Sequence, residues 1–364
     1  MSQDDGKPGN LTRSGQRAAC ARRHIEPYRD SLFASVVDLD AEDGLTLSLP
    51  PPLGCNSTLT GHRFLFESAG NGEAATETGV QMITIPKLAA LALGEFLTEE
   101  TKGRFGTSHA RLAEFLPYAA RLTLECIGNS DALYHDLEHS LLVTLAGHDI
   151  MMGRALLCPT TPHDYANFIV ACLTHDIGYV RGVVQGDDCE SYVADVNGRT
   201  IRLPRGSSDA ALAPYHVDRS KLFVFERLDT VEELNATRIA QAIEYTRFPY
   251  VATSSNDDGL TEEEGLLLRA ADLIGQLGDP NYMRKANALF YEFEEIGLNK
   301  TLGYDTPADI VYKYPHFYWN NVAPQIQTAI RYLNVTSSGR QWISNLYGNV
   351  FRAEREMNLS GPQL

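Results

Sequence analysis

The sequence predicts a mainly α protein, built as a helical bundle with a small β-containing segment at its N-terminal end. Three observations carry that expectation. From about Pro86 onward apolar residues recur every three or four positions. Prolines at 159, 162, 214, 249, 280, 307, 315 and 324 fall at or near the breaks between those stretches. Short β-like runs are concentrated before residue 84.

Taken in order, residues 1–23 are polar and mildly basic and are expected to be poorly ordered. Residues 24–84 hold β-like runs at 35–39, 45–49 and 63–66, separated by three prolines and a Gly-rich stretch. The helical domain is expected over 85–355. Leu88, Leu91, Leu93 and Phe96 open its pattern, and Leu112, Leu116, Ala119, Leu122 and Cys126 continue it. Further helices are expected over 132–157, 163–177, 215–229, 231–247, 261–277, 281–296, 317–333 and 338–354, with 356–364 as a tail. Residues 183–206 are rich in Gly, Asp and β-branched types and read as a long loop or small hairpin between helices, protruding near the site.

Composition narrows the function. Of 364 residues, 43% are apolar and 21% charged, the balance of an ordinary globular chain. The formal charge of −16, from 31 Lys and Arg against 47 Asp and Glu, argues against nucleic acid and against an anionic membrane surface as partners. A small phosphorylated substrate is still allowed where bound cations reverse the local field. The six cysteines form no CxxC pair, which fits free thiols better than disulfides or a thiolate zinc site. Neither a secretory-type leader nor a run of 18 apolar residues is evident, so a cytoplasmic protein without a transmembrane helix is expected. Oligomeric state is not legible.

Two short motifs carry chemistry. In Tyr134-His135-Asp136-Leu137-Glu138-His139 the two histidines are four apart, which places both rings on one face of a helix. Leu173-Thr174-His175-Asp176-Ile177-Gly178 ends an apolar run, putting a nitrogen and a carboxylate donor at the edge of a core. Buried charge is costly unless it is paired or bound to metal. Asp272 lies inside another apolar stretch, Leu268-Arg269-Ala270-Ala271-Asp272-Leu273-Ile274. Two imidazoles and two carboxylates suit Zn²⁺, Fe or Mn²⁺ by ligand type. Each piece also has a bland reading: an isolated His-x-x-x-His is usually surface or a satisfied core pair, and a second His-Asp, His148-Asp149, reads as structural.

In this order the motifs resemble the HD superfamily of metal-dependent phosphohydrolases. Within it the stretch from about 115 to 325 is most similar to the catalytic domain of class I cyclic nucleotide phosphodiesterases, with their Tyr-His-Asn-x-x-His motif. The stretch 288–297, Ala-Leu-Phe-Tyr-Glu-Phe-Glu-Glu-Ile-Gly, resembles the helix that follows that family's last aspartate. The resemblance implies an HD/phosphodiesterase-like helical bundle and two divalent metals per chain (Zn, Mn, Mg or Fe). His139, His175, Asp176 and Asp272 would bind the first metal, with Asp176 bridging to the second. His135 would be the general acid, with Asp136 or Glu138 the candidates to orient its ring. The implied reaction is hydrolysis of a phosphodiester, with a cyclic nucleotide the narrower reading.

Departures from the family pattern are visible. Asp136 replaces the usual asparagine. Tyr179 stands where a further histidine is expected. If Phe317 clamps a base, Tyr314 occupies the place of the base-reading glutamine. Tyr179, Tyr314 and Phe317 are therefore the candidate substrate-pocket residues. His216 and Glu244 are candidate ligands of the second metal, with a helix-terminal histidine and a salt bridge to Arg247 as their bland readings. Arg219, Arg247 and Lys313 are candidate phosphate contacts. The alternatives are an HD-type phosphomonoesterase, a di-iron HD oxygenase engaging both His216 and Glu244, and a non-catalytic metal-stabilised sensor.

Overall fold

The computed structural model describes residues 83–106, 109–248 and 259–360. The β-like runs expected before residue 84 lie outside these residues. Among them the chain is mainly helical: α1 (Ile85–Phe105), α2 (Ala110–Ile127), α3 (Leu137–Leu157), α4 (Pro162–Thr174), α5 (His216–Leu228), α6 (Ala236–Glu244), α7 (Gly259–Leu277), α8 (Tyr282–Glu295), α9 (Leu298–Leu302), α10 (Pro307–Phe317), α11 (Gln327–Leu333) and α12 (Ser337–Ser360). Residues 183–206 contain a two-stranded antiparallel ladder, β1 (Tyr192–Val193) with β2 (Thr200–Ile201), pairing Tyr192 with Ile201 and Val193 with Thr200.

Helix starts follow local capping chemistry. The Asp136 carboxylate accepts the amides of Glu138 and His139 and so begins α3. Thr161 and Asp164 form a capping box around Pro162 at the start of α4. Thr306 and Asp309 do the same for α10, so Pro307 opens a helix where the sequence suggested only a break. Asn235 accepts the amide of Arg238, which starts α6 at Ala236 rather than at 231. The helix expected over 317–333 is instead the end of α10, a π-turn at Tyr318–Val322 and α11. The last helix runs through Ser360, past the expected boundary at 355.

The main core is built on α3, α4 and α7. Val143, Ala146, Ile150, Ile169, Val170, Leu268, Ala271 and Ile274 are fully buried there. Helix α4 is buried from Tyr165 to Thr174, as a helix apolar on all sides must be. Helix α3 is long and apolar enough by composition to cross a bilayer, and more than half of its most apolar stretch is buried within the protein. A smaller core of Ile127, Ile177, Val180, Val183, Val184, Val193 and Phe223 lies beneath the 183–206 segment.

That segment is pinned at its root. Arg219, fully buried, donates to the carbonyls of Gly178, Val180 and Val193 and holds both oxygens of Asp187. The expected protrusion is confined to the outer part, where Val196 is exposed. Among the described residues Cys126, Cys158, Cys172 and Cys189 are free thiols.

Candidate metal centre

Four elements deliver the candidate ligands to one place. His139 lies in the first turn of α3, His175 caps the end of α4, Asp176 begins the 3₁₀ turn Ile177–Tyr179, and Asp272 comes from the middle of α7. Gly275 lets α7 press against α3: a Cβ there would sit 2.8 Å from the Val143 Cα and amide nitrogen. Gly178 lets the His-Asp turn dock on α5, since a Cβ would meet the His216 carbonyl oxygen at 2.0 Å.

The donor atoms converge. His139 Nε2 is 3.2 Å from Asp176 Oδ2 and 3.4 Å from Asp272 Oδ1. His175 Nε2 is 3.1 and 3.8 Å from the same two oxygens. Yet neither Nε2 makes a hydrogen bond, although both atoms are buried. The donor atoms of His139, His175 and Asp272 lie within 4.8 Å of one another without bonding to each other. With metal–nitrogen bonds of 2.0–2.1 Å, tetrahedral ligand atoms lie about 3.4 Å apart, so these separations fit one ion. His175 is also in the correct tautomer, because its Nδ1–H donates to the Cys172 carbonyl at 2.8 Å and leaves Nε2 as the lone pair. The residues present therefore fit a divalent metal.

Electrostatics describe the same site without an ion. Burial alone would depress His139 and His175, but Asp176 and Asp272 beside them outweigh it and raise both to about 9. Burial likewise works against ionised Asp176 and Asp272, and the histidines reverse that and hold both carboxyls below the usual range. Without metal the two carboxylates thus favour the protonated form of both histidines.

His135 differs from expectation in its placement. Asp136 is the cap, so His135 precedes α3 rather than lying on its face. Its ring still reaches the site, with its centroid 5.4 Å from that of His139, and it can share an ion with His139 and Asp176. Neither Asp136 nor Glu138 orients it: the first caps the helix and the second pairs with Lys285. Glu292 of α8 does so, accepting the His135 Nδ1–H at 2.5 Å and the amides of Tyr134 and His135 at 2.6 and 3.2 Å. Burial opposes the imidazolium, but Glu292 and then Asp176 outweigh it and raise the His135 pKa. Sequence reasoning missed Glu292. Its signal was a carboxylate three residues after buried Leu289 on an otherwise apolar helix stripe.

His216 joins the cluster from the other side. Its Nδ1–H donates to the Ala213 carbonyl at 2.5 Å, and its Nε2 faces Asp176 Oδ1 at 3.6 Å. Burial, the largest influence, lowers its pKa despite the neighbouring carboxylate. Asp176 thus presents one oxygen to His139 and His175 and the other to His216. Tyr179, buried, lies with its ring stacked on both His135 and His216.

Other candidates are placed elsewhere. Glu244 is held by Lys221 and Arg247 at 2.5 Å each, the salt-bridge alternative, and does not join the ligands. Tyr314 shares the buried face of α10 with Ile310, packs against Tyr282 and Tyr318, and is a core residue rather than a pocket wall. Phe317 packs partly buried against the main core. Arg219 is bound to Asp187, Arg247 to Glu244 and Asp218, and Lys313 to the Gly303 carbonyl, so all three phosphate candidates are already engaged. His148 and Asp149 hold Tyr165 and Ser338 with Trp342, a structural pair.

A family profile described as Npun_R2479-like matches residues 87–356, roughly three-quarters of the chain. The chain belongs to the Npun_R2479-like family. Its match begins within α1 and ends within α12, so it includes every residue of the centre. No curated protein and no solved structure matches the chain.

Proposed function

We propose that the chain is an HD-type, metal-dependent phosphohydrolase acting on a phosphodiester, with a cyclic nucleotide as the narrower reading. The observation that carries the proposal is the pair of buried, unbonded Nε2 atoms of His139 and His175 set against two carboxylates. His139, His175, Asp176 and Asp272 would hold one divalent ion; Asp176 and His216 would help to hold a second. Such ions lower the pKa of bound water to about 7 and polarise phosphoryl oxygens.

The chain's own residues supply the rest. His135, hydrogen-bonded through Nδ1 to Glu292, carries its second proton on Nε2, toward the site, and donates it to the departing oxygen. Glu292 fixes the ring's direction and favours the protonated form. Three cations flanking the site in sequence are paired with carboxylates: Arg181 with Asp209, Arg219 with Asp187, Lys285 with Glu138 and Asp279; Arg269, one turn before Asp272, is held by Gln325 and the Tyr245 carbonyl. Those engaged cations would offer a substrate phosphate little charge beyond the ions. This favours a diester, with one negative charge, over a monoester with nearly two at neutral pH. The di-iron oxygenase alternative needs Glu244 as a ligand, and Glu244 is occupied by Lys221 and Arg247.

The test is a hydrolysis screen with Mn²⁺ and Mg²⁺ over cyclic nucleotides, bis(p-nitrophenyl) phosphate and nucleoside monophosphates. Diester turnover is expected to exceed monoester turnover. His135→Ala should keep its metals and fold while kcat falls about 10²- to 10⁴-fold on a poor leaving group. Selective monoester turnover, or loss of metal in His135→Ala, would contradict the proposal.

A further inference from the structure

Tyr179 is buried against the site's imidazoles and belongs to neither hydrophobic cluster. It is three residues after Asp176, only 4% exposed, and its ring lies between two imidazoles. The Tyr179 and His135 centroids are 4.6 Å apart with planes 9° from parallel; those of Tyr179 and His216 are 4.6 Å apart and 26° from parallel. His135 precedes α3 and His216 opens α5, so the phenol ring bridges side chains from separate elements.

Hydrogen bonds tie each imidazole at only one nitrogen. His135 Nδ1 is held by Glu292 and His216 Nδ1 by the Ala213 carbonyl. One hydrogen bond fixes where an imidazole points, but leaves it free to rock about that bond. A flat aromatic face fixes the ring plane, because tilting loses contact over the whole ring. Tyr179 supplies such a face to both imidazoles at once. The turn carrying it is itself locked: the Gly178 amide donates to Ser220 Oγ at 2.9 Å, and the Gly178 carbonyl accepts from Arg219.

We infer that Tyr179 is a positioning residue whose ring, not its hydroxyl, sets the planes of His135 and His216 together, coupling the aim of the proton donor to the second cation position. This rests on the phosphodiesterase reading for His135, whereas the His216 half depends only on metal binding. An aliphatic residue at 179 can fill the volume but cannot present two parallel faces. Phenylalanine can.

The test uses the full chain loaded with Mn²⁺, in wild-type, Tyr179→Phe, Tyr179→Leu and Tyr179→Met forms. Bound Mn²⁺ per chain is counted after gel filtration, and kcat is measured on diphenyl phosphate and on bis(p-nitrophenyl) phosphate. The second substrate's leaving group needs little protonation. Tyr179→Phe should match wild type within about threefold on every readout. Tyr179→Leu should fall from about two Mn²⁺ to about one, and lose about 10- to 100-fold on diphenyl phosphate, with a smaller loss on the nitrophenyl ester. Tyr179→Met replaces Leu if circular dichroism shows that variant unfolded.

Wild-type behaviour in the folded aliphatic variant would overturn the inference and leave the phosphodiesterase reading standing. Equal damage in Tyr179→Phe would assign the role to the hydroxyl and also overturn it. A wild type that binds Mn²⁺ but hydrolyses neither ester would remove the catalytic reading, and the Mn²⁺ count of the variants alone would then decide the His216 half.

Discussion

Asp176 is the residue on which the centre turns, because its two oxygens serve opposite sides: Oδ2 faces His139 and His175, Oδ1 faces His216. Glu292 has the equivalent place for His135, the proposed proton donor. Replacing it by Gln keeps the oxygen that accepts the Tyr134 and His135 amides but removes the charge that raises His135. A general acid works only while protonated, so the basic limb of the pH–rate profile should move to lower pH in Glu292→Gln, with metal content unchanged. An unmoved limb would mean that His135 is not the titrating acid. The candidate ligands were legible because each stands beside a short motif or inside an apolar run. Glu292 left only its place on an apolar helix stripe as a signal, since its partner is 157 residues away and no local pattern records that pairing. Tyr314 was misread for a related reason: its sequence neighbours do not tell that helix register turns it into the core beside Ile310.

At the scale of elements, the site depends on backbone approach more than on any one side chain. Gly275 and Gly178 bring α7 to α3 and the His-Asp turn to α5. The Arg219–Asp187 pair then fastens the 183–206 segment over the smaller core. Arg219→Ala leaves Asp187 as an unpaired buried charge and three carbonyls without their donor. It should cost about 3–5 kcal/mol, read as a lowered urea midpoint. A change below about 1 kcal/mol would show that the segment does not depend on this pair. Helix periodicity made most elements readable, whereas their starts were set by caps at Asp136, Asn235 and Thr306 that periodicity does not register. That is why His135 lies before α3 rather than on it.

For the whole molecule, protons and a bound cation would compete for the same buried atoms. In metal-free protein His139 and His175 hold protons to about pH 9, above the unfolded value of about 6.5. Their pairing with Asp176 and Asp272 is thus fully stabilising below about pH 6.5 and is lost as pH rises through 9. A bound metal would need these rings neutral, so its contribution would grow over the same range. Calorimetry should accordingly show Tm falling with pH in EDTA-treated protein and the increment given by Mn²⁺ rising. Parallel curves would contradict this competition. The measurement that bears most directly on the central claim is the metal content of the purified chain after loading with Mn²⁺ or Zn²⁺ and removal of excess. The arrangement of His139, His175, Asp176 and Asp272 predicts tightly held divalent metal in the wild type and its near-complete loss in Asp176→Ala with the helical signal retained. A wild type that retains no metal, or an Asp176→Ala protein that retains all of it, would contradict the account.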